Sequence, residues 1–208
     1  MTEAHEELAV AHTAWQAAYE RHVAAVGEVV FHWNLLHERL GELFGIAADT
    51  SPHVGMAIWY ALQSDVAQRE ILLAALRASE TDEARWKLRP QAPGDIRWVL
   101  KHINEKLRDQ RNDAIHAPCE EALAIFERPD GSKFPAFEVG PSFYLGNPRA
   151  TKLSQKDLVP EFLWYAETGQ VLTRFCTEML AALKFGGSAP WPDKPTLPQL
   201  RPSQNRRA

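Results

Sequence analysis

The sequence predicts an all-α fold of four to five helices, with a small β-hairpin inserted before the last helix. Apolar residues recur at helical spacing over several long stretches, and proline and glycine separate these stretches. Between about residues 123 and 150 the spacing changes to that of short strands. A chain of 208 residues, 45% hydrophobic and 24% charged, is typical of a folded domain. We expect one helical domain over residues 1–185 and a proline-rich mobile tail over 186–208.

The first half of the chain predicts two long helices. Residues 3–45 contain no proline and keep a helical apolar period, and Gly45 is expected to end this helix. Ser51 has a side chain suited to capping a helix, and Pro52 suits a first turn. The second helix is therefore predicted to run from about Pro52 to Ser79.

The second half predicts a motif helix, a hairpin and a final helix. The motif helix should run over about 93–117 and end before Pro118, which cannot continue it. Residues 128–132 resemble a turn between two strands, with a possible third strand at 142–145. The final helix is predicted over 154–185. In the tail, Trp191 is the residue that we expect to dock onto the domain.

Charge is distributed unevenly, although the net charge is only −4. Residues 1–46 contain seven Glu and two Arg, whereas residues 85–111 contain eight Lys or Arg and three acids. One interpretation is that two solvated helix faces of opposite sign pack together. The other is that the basic segment attracts phosphate, with Trp86 and Trp98 available for base stacking. The net charge argues against a protein that coats nucleic acid through bulk electrostatics.

Targeting, membrane and cofactor signals are missing from the sequence. The first residues lack a basic and apolar leader pattern, and no apolar run approaches the roughly 20 residues of a membrane span. Cys119 and Cys176 form neither a C-x-x-C pair nor a disulfide framework. We therefore expect a cytoplasmic protein without a membrane association. No P-loop, G-x-G-x-x-G or G-x-S-x-G pattern occurs, and no cofactor is expected.

Chemically active side chains are concentrated at residues 108–118, near the predicted end of the motif helix. At about 100° per residue, Asn112 and His116 fall together, away from the apolar stripe. Arg111 lies at the edge of that stripe, about 140° from His116, so its side chain would have to curl round the helix to reach the same phosphate. Arg108 lies between Arg111 and His116 and is the less strained candidate. The basic residues Arg97 and Lys101, with Arg108, are the candidates for binding phosphate.

A second pattern on the motif helix favours a homodimer. Residues spaced by seven form a mixed polar and aromatic seam beside the core stripe, and such a seam is typical of a helix that contacts a partner. The alternative is a solvated polar face. The residues expected at the dimer interface are Trp98, His102, Glu105 and Asp109.

The run Arg111-Asn112-x-x-x-His116 resembles the motif of HEPN domains, in which an arginine precedes a polar residue and, a few positions later, a histidine near the end of a helix. The order of the helices over about residues 5–185 is also similar to that of this family. The resemblance implies a metal-independent endoribonuclease that acts as a dimer, with the two motifs facing a shared cleft.

The resemblance gives each motif residue a role. His116 would exchange protons with the ribose 2′-OH and the 5′-oxygen, and Arg111 would hold the phosphate with support from Arg108. Asn112 would orient the imidazole or the substrate. The RNA would be left with a 2′,3′-cyclic phosphate. Many relatives serve defence or growth control, so a protein inhibitor or antitoxin is a further expected partner.

Two alternatives remain at this point. HEPN-like domains include members that bind protein or RNA without cleaving it, and Arg111 would then pair with a neighbouring acid while His116 caps the helix. A metal-dependent helical hydrolase is the other. Neither H-E-x-x-H nor the E-x-x-H pairs of di-iron bundles occur, so no metal site is predicted.

Overall fold

The computed structural model describes residues 2–82, 85–116, 119–127, 131, 133–141, 148–153, 156–185 and 188–199. These residues are mostly helical, which confirms the predicted all-α class; the HEPN type of the fold stays a prediction. The elements in chain order are α1 (Thr2–Ala47), α2 (Pro52–Ala61), α3 (Asp65–Ser79), α4 (Ala92–His102), a π-helical turn (Ile103–Leu107), α5 (Arg108–His116), β1 (Cys119–Glu127), β2 (Lys133–Pro141), α6 (Pro148–Leu153) and α7 (Leu158–Lys184). The helices are more numerous than the four to five predicted, and the short helix α6 lies between the hairpin and the last helix.

The chain divides into two compact units. The first contains Met1–Val30, Gln110–Tyr165 and Gln199–Ala208, and the second contains Phe31–Asp109 and Ala166–Pro198. The prediction of a single domain over 1–185 stays a prediction. No helix in the described part of the chain is long and apolar enough to cross a membrane.

The second unit has a large hydrophobic core. The end of α1 and helices α2, α3, α4 and α7 contribute to it, because each keeps an apolar stripe at helical spacing. Its members are fully or almost fully buried and include Trp33, Leu36, Leu40, Trp59, Leu72, Leu76, Ile96, Val99, Ile103, Leu172, Phe175 and Met179. The first unit has its own buried apolar residues, among them Ala25, Leu153, Leu158 and Phe162.

The end of α1 differs from the prediction. Gly45 lies inside the helix, which continues to Ala47, and the chain then turns at Asp49 with a φ of 56°. The close approach of α1 and α2 depends on Gly55, since a Cβ atom on Gly55 would lie 2.8 Å from the Gly45 Cα atom, whereas a Cβ atom on Gly45 would meet its neighbours at an ordinary 3.8 Å.

The prediction of one helix over 52–79 is wrong, although its start is confirmed. Ser51 accepts a hydrogen bond from the backbone N–H of Val54 and Pro52 occupies the first turn, as expected. The helix breaks after Ala61, and Ser64 caps a new helix by accepting from the backbone N–H of Ala67 at 3.1 Å. Two capped helices replace one because this second serine supplies a new N-terminus.

The motif helix is found close to its predicted bounds, but it is interrupted by the π-helical turn. The backbone N–H of Arg108 donates to the carbonyl of Ile103, five residues earlier. A π turn contains more residues per turn than an α-helix, so seven-residue spacing across it no longer predicts a shared face. The predicted dimer seam rests on that spacing, and the homodimer therefore stays a prediction.

The β excursion is a two-stranded antiparallel hairpin in which Phe126 pairs with Phe134 and Cys119 pairs with Pro141. The possible third strand at 142–145 lies outside the described residues, as do the predicted helix end at Pro118 and the tail beyond residue 199. The described part of the tail docks through Trp191, whose Nε1 atom donates to Asp95 Oδ2 at 2.9 Å. Lys194 adds an ion pair to the same carboxylate at 2.7 Å.

Candidate functional site

The three predicted catalytic residues lie on α5, in the first unit. Arg111 and Asn112 are half-buried and His116 is exposed in the last turn of the helix. The Nη1 atom of Arg111 donates a hydrogen bond to Asn112 Oδ1 at 3.0 Å. The neighbouring amide therefore restrains the guanidinium, while the imidazole is accessible to a ligand.

The residue after Asn112 is the most buried charge of the motif. The carboxylate of Asp113 is only 5% exposed and forms ion pairs with Lys152 and, at 3.9 Å, with Arg149. Both cations belong to α6, which follows the hairpin, and are about half exposed. Asp113 thus ties the motif helix to α6 and leaves two accessible cationic groups beside it.

A second buried carboxylate lies in the same unit. Glu161 accepts hydrogen bonds from Tyr165 and Lys156. Burial raises the pKa of the Tyr165 phenol above its ordinary value, and the hydrogen bond to Glu161 and the negative charges of Glu161 and Asp113 raise it further. Tyr165 is therefore a proton donor to a carboxylate and is not a base near neutral pH.

The three predicted phosphate-binding residues belong to the second unit, and each has an acidic neighbour. Arg97 pairs with Glu80; the hydrogen bond between them raises the pKa of Arg97 and lowers the pKa of Glu80. Lys101 lies 3.9 Å from Glu105, and Arg108 lies 3.3 Å from Asp109. These pairs are solvent-accessible and individually weak, so a phosphate can compete for the cations.

The four residues predicted at the dimer interface have different surroundings. Trp98 is half-buried, packs edge-on against Phe175 with ring centroids 5.7 Å apart, and lies 4.3 Å from the His102 ring. Glu105 and Asp109 are exposed. Much of the Trp98 side chain is therefore covered by contacts within the chain. Of the four residues, Glu105 and Asp109 are the most accessible to a partner.

The structure also reveals polar residues that the sequence analysis did not single out. Asp113 and Lys152 are 39 positions apart, and no local period relates them. Arg69 is buried on α3, and its signal was present in the sequence, since it occupies the same stripe as Leu72 and Leu76. Within the described residues, no three His, Cys, Asp or Glu side chains lie where they could share a metal ion.

Comparison with known proteins adds no relative. The sequence matches no protein-family profile and no curated protein, and no solved structure matches the chain.

Proposed function

We propose that this chain is a HEPN-like, metal-independent endoribonuclease in which Arg111, Asn112 and His116 act on RNA. The observation that supports the proposal most directly is the arrangement of α5. An arginine restrained by the adjacent amide at 3.0 Å shares the helix with an exposed histidine in the last turn. A phosphate ligand and a proton-transfer group are the two side chains that this reaction requires.

In the proposed reaction the ribose 2′-oxygen attacks the adjacent phosphorus. An imidazole of His116 accepts the 2′-OH proton as the new O–P bond forms. The bond from phosphorus to the 5′-oxygen breaks, and that oxygen receives a proton from an imidazolium. The products are a 2′,3′-cyclic phosphate and a 5′-OH end. Arg111 stabilises the charge on the phosphate oxygens.

A homodimer would supply the second imidazole for this reaction. One His116 then begins as the base and its counterpart begins as the acid. Binding of the RNA backbone is assigned to the accessible cations Arg108, Lys101 and Arg97, whose acidic neighbours are displaced by phosphate. As a cytoplasmic nuclease with a role in defence or growth control, the protein would need a protein inhibitor or antitoxin.

The experiment that tests this function is cleavage of a mixed RNA pool by purified protein in the presence of a chelator. Arg111→Ala and His116→Ala are compared with the matched controls Arg77→Ala and His53→Ala, which replace exposed residues of α3 and α2. We expect loss of cleavage in the first pair and wild-type cleavage in the second. A pool that stays intact with folded wild-type protein contradicts the proposal.

A non-catalytic interaction module is the second candidate, and an exposed apolar surface on α1 favours it. Val10 is 67% exposed. A shallow groove nearby is lined by small and apolar residues, namely Ala9, Val10, Thr13, Ala14 and Ala17. Exposed apolar surface of this kind is typical of contact with another protein. Val10→Lys should then abolish a partner complex, and the wild-type protein should cleave no RNA.

A further inference from the structure

Helix α3 contains a buried arginine. Arg69 is only 2% exposed, on the apolar stripe that faces the core of the second unit. Moving a charged group out of water is costly unless an opposite charge compensates for it. Buried arginines are therefore expected to be paired with carboxylates, and Arg69 is not.

The contacts of Arg69 are all with neutral groups. Its Nε atom donates to Asn104 Oδ1 at 2.8 Å, and its Nη1 atom lies 3.3 Å from His37 Nε2. The guanidinium also lies 5.8 Å from the centre of the Trp33 ring. His37 Nδ1 donates to Gln68 Oε1 at 3.1 Å, which leaves Nε2 as the acceptor for Arg69. This imidazole therefore contributes a lone pair and no negative charge.

The positive charge of Arg69 is left uncompensated at short range. None of the ion pairs among the described residues includes Arg69, and its buried Nη2 atom has no hydrogen-bond partner. The nearby carboxylate of Asp65 accepts from Trp33 Nε1 at 3.1 Å instead. Burial lowers the pKa of Arg69, and the positive charge of Arg108 adds to this effect; the charges of Asp65 and, more weakly, Glu70 oppose it without forming an ion pair.

Asn104 and Arg108 connect this guanidinium to solvent. Both are exposed, and Asn104 contacts Arg69 directly. They lie four residues apart across the π-helical turn, so they project on the same side of the helix. Because Oδ1 of Asn104 accepts from Arg69, its Nδ2 group remains a donor. The buried charge thus lies one side chain below the surface.

We propose that Arg69, Arg108 and Asn104 bind an oxyanion of the phosphate type. The guanidinium groups of Arg69 and Arg108 match two oxygens of a tetrahedral phosphate, and the Asn104 amide donates to a third. The anion compensates for the buried charge and for the proximity of the two arginines. This site lies in the second unit and shares Arg108 with the residues assigned above to the RNA backbone, but the buried charge of Arg69 requires an anion whether or not the chain cleaves RNA.

The test is the thermal stability of the full chain in inorganic phosphate and in chloride at equal ionic strength. We expect phosphate to raise the wild-type Tm by a few degrees with saturable dependence, since a ligand that binds only the folded state stabilises it. The rise in Tm should vanish in Arg69→Met. In Arg108→Gln the phosphate affinity taken from the concentration dependence should be at least fivefold weaker than in the wild type. The control Arg77→Gln, an exposed arginine of the same helix, should behave as the wild type.

A second measurement separates an anion site from a structural role. Without phosphate, Arg69→Met should have a Tm equal to or above that of the wild type, because an apolar side chain replaces an uncompensated charge. Equal effects of phosphate and chloride, or a phosphate response that persists in Arg69→Met, would overturn the proposal. If Arg69→Met does not fold, Asn104→Leu and Arg108→Gln decide, and unchanged phosphate affinity in both rejects the site.

A competition experiment between inorganic phosphate and RNA distinguishes free phosphate from the phosphates of a polynucleotide backbone. A short single-stranded RNA that displaces inorganic phosphate, and binds Arg69→Met more weakly than wild type, assigns the site to a polynucleotide backbone. RNA binding that is equal in the two proteins assigns it to free phosphate. Both outcomes presuppose the phosphate response of the wild type.

Discussion

The Nη1 atom of Arg111 lies 3.0 Å from Oδ1 of Asn112, so the amide of one motif residue restrains the guanidinium of the other. A hydrogen bond to a charged group contributes about 1.5–3 kcal/mol, and each 1.4 kcal/mol corresponds to about a tenfold change in rate. Asn112→Ala should therefore reduce RNA cleavage by about tenfold or more while the fold is kept. Initial rates on one RNA give the measurement, with the exposed Asn34→Ala as the control. Wild-type rates in Asn112→Ala would assign the amide no function.

The ion pairs of Asp113 with Arg149 and Lys152 should contribute to the stability of the fold. Lys152→Met removes a partner from a buried carboxylate, whereas Asp113→Asn removes the buried charge itself. Because Lys152 is half exposed, we expect a loss of about 1–3 kcal/mol for Lys152→Met and a smaller loss for Asp113→Asn. Urea unfolding measures both. Lys101→Met, which breaks only an exposed 3.9 Å pair, is the control. The opposite order for the two variants would contradict this account of the cluster.

The free energy of unfolding should depend on pH through the buried imidazole of His22. It packs against Phe162 with ring centroids 5.7 Å apart, and burial lowers its pKa below the ordinary value. Below about pH 6.5 the unfolded chain binds a proton on this imidazole that the folded chain does not bind. The contribution of His22 to the free energy of unfolding is therefore complete above that pH and is lost as the pH falls.

The measurement is the Tm of wild type and His22→Leu at pH 7.5 and 5.5. The wild type should lose more stability on acidification than His22→Leu, because the other titrating groups are the same in both proteins. His53→Gln, which replaces an exposed histidine, should follow the wild type. Parallel losses in the wild type and His22→Leu would show that His22 does not cause the pH dependence.

Replacing Gly55 and replacing Gly27 by alanine should have opposite effects on the free energy of unfolding. A Cβ atom on Gly55 would lie 2.8 Å from the Gly45 backbone and 2.9 Å from Thr50 Oγ1, so Gly55→Ala should cost about 1–3 kcal/mol. Gly27 has open space around it within α1, and Gly27→Ala should stabilise the protein by about 0.5–1 kcal/mol. Chemical denaturation measures both changes. Equal effects would show that the glycine contact between α1 and α2 relaxes freely.

Local patterns in the sequence predicted the elements that local chemistry determines. Ser51 and Pro52 form the expected helix start, and the change of apolar period marks the hairpin. The break before Ser64 was missed because a single serine, here between Gln63 and Asp65, is a weak signal. Gln68 supports this break by donating from its Nε2 atom to the Trp59 carbonyl at 3.1 Å. That contact exists only after α2 and α3 have separated.

The candidate site was predictable only in part. The spacing of Arg111, Asn112 and His116 is a property of one helix, so the sequence was sufficient to group them. The pairing of Asp113 with Lys152 joins positions that no period relates. A π-helical turn has no simple sequence pattern, and it removed the basis of the seven-residue seam.

Attack by the ribose 2′-OH is tested with two strands of one sequence, one RNA and one containing a single 2′-deoxy nucleotide at the main cleavage position. Both are incubated with the wild-type protein in chelator, and the product ends are analysed. We expect the RNA to be cut with a 2′,3′-cyclic phosphate and a 5′-OH end, and the 2′-deoxy position to resist cleavage. Cleavage at the 2′-deoxy position, or cleavage that requires a metal ion, would contradict the proposed metal-independent nuclease.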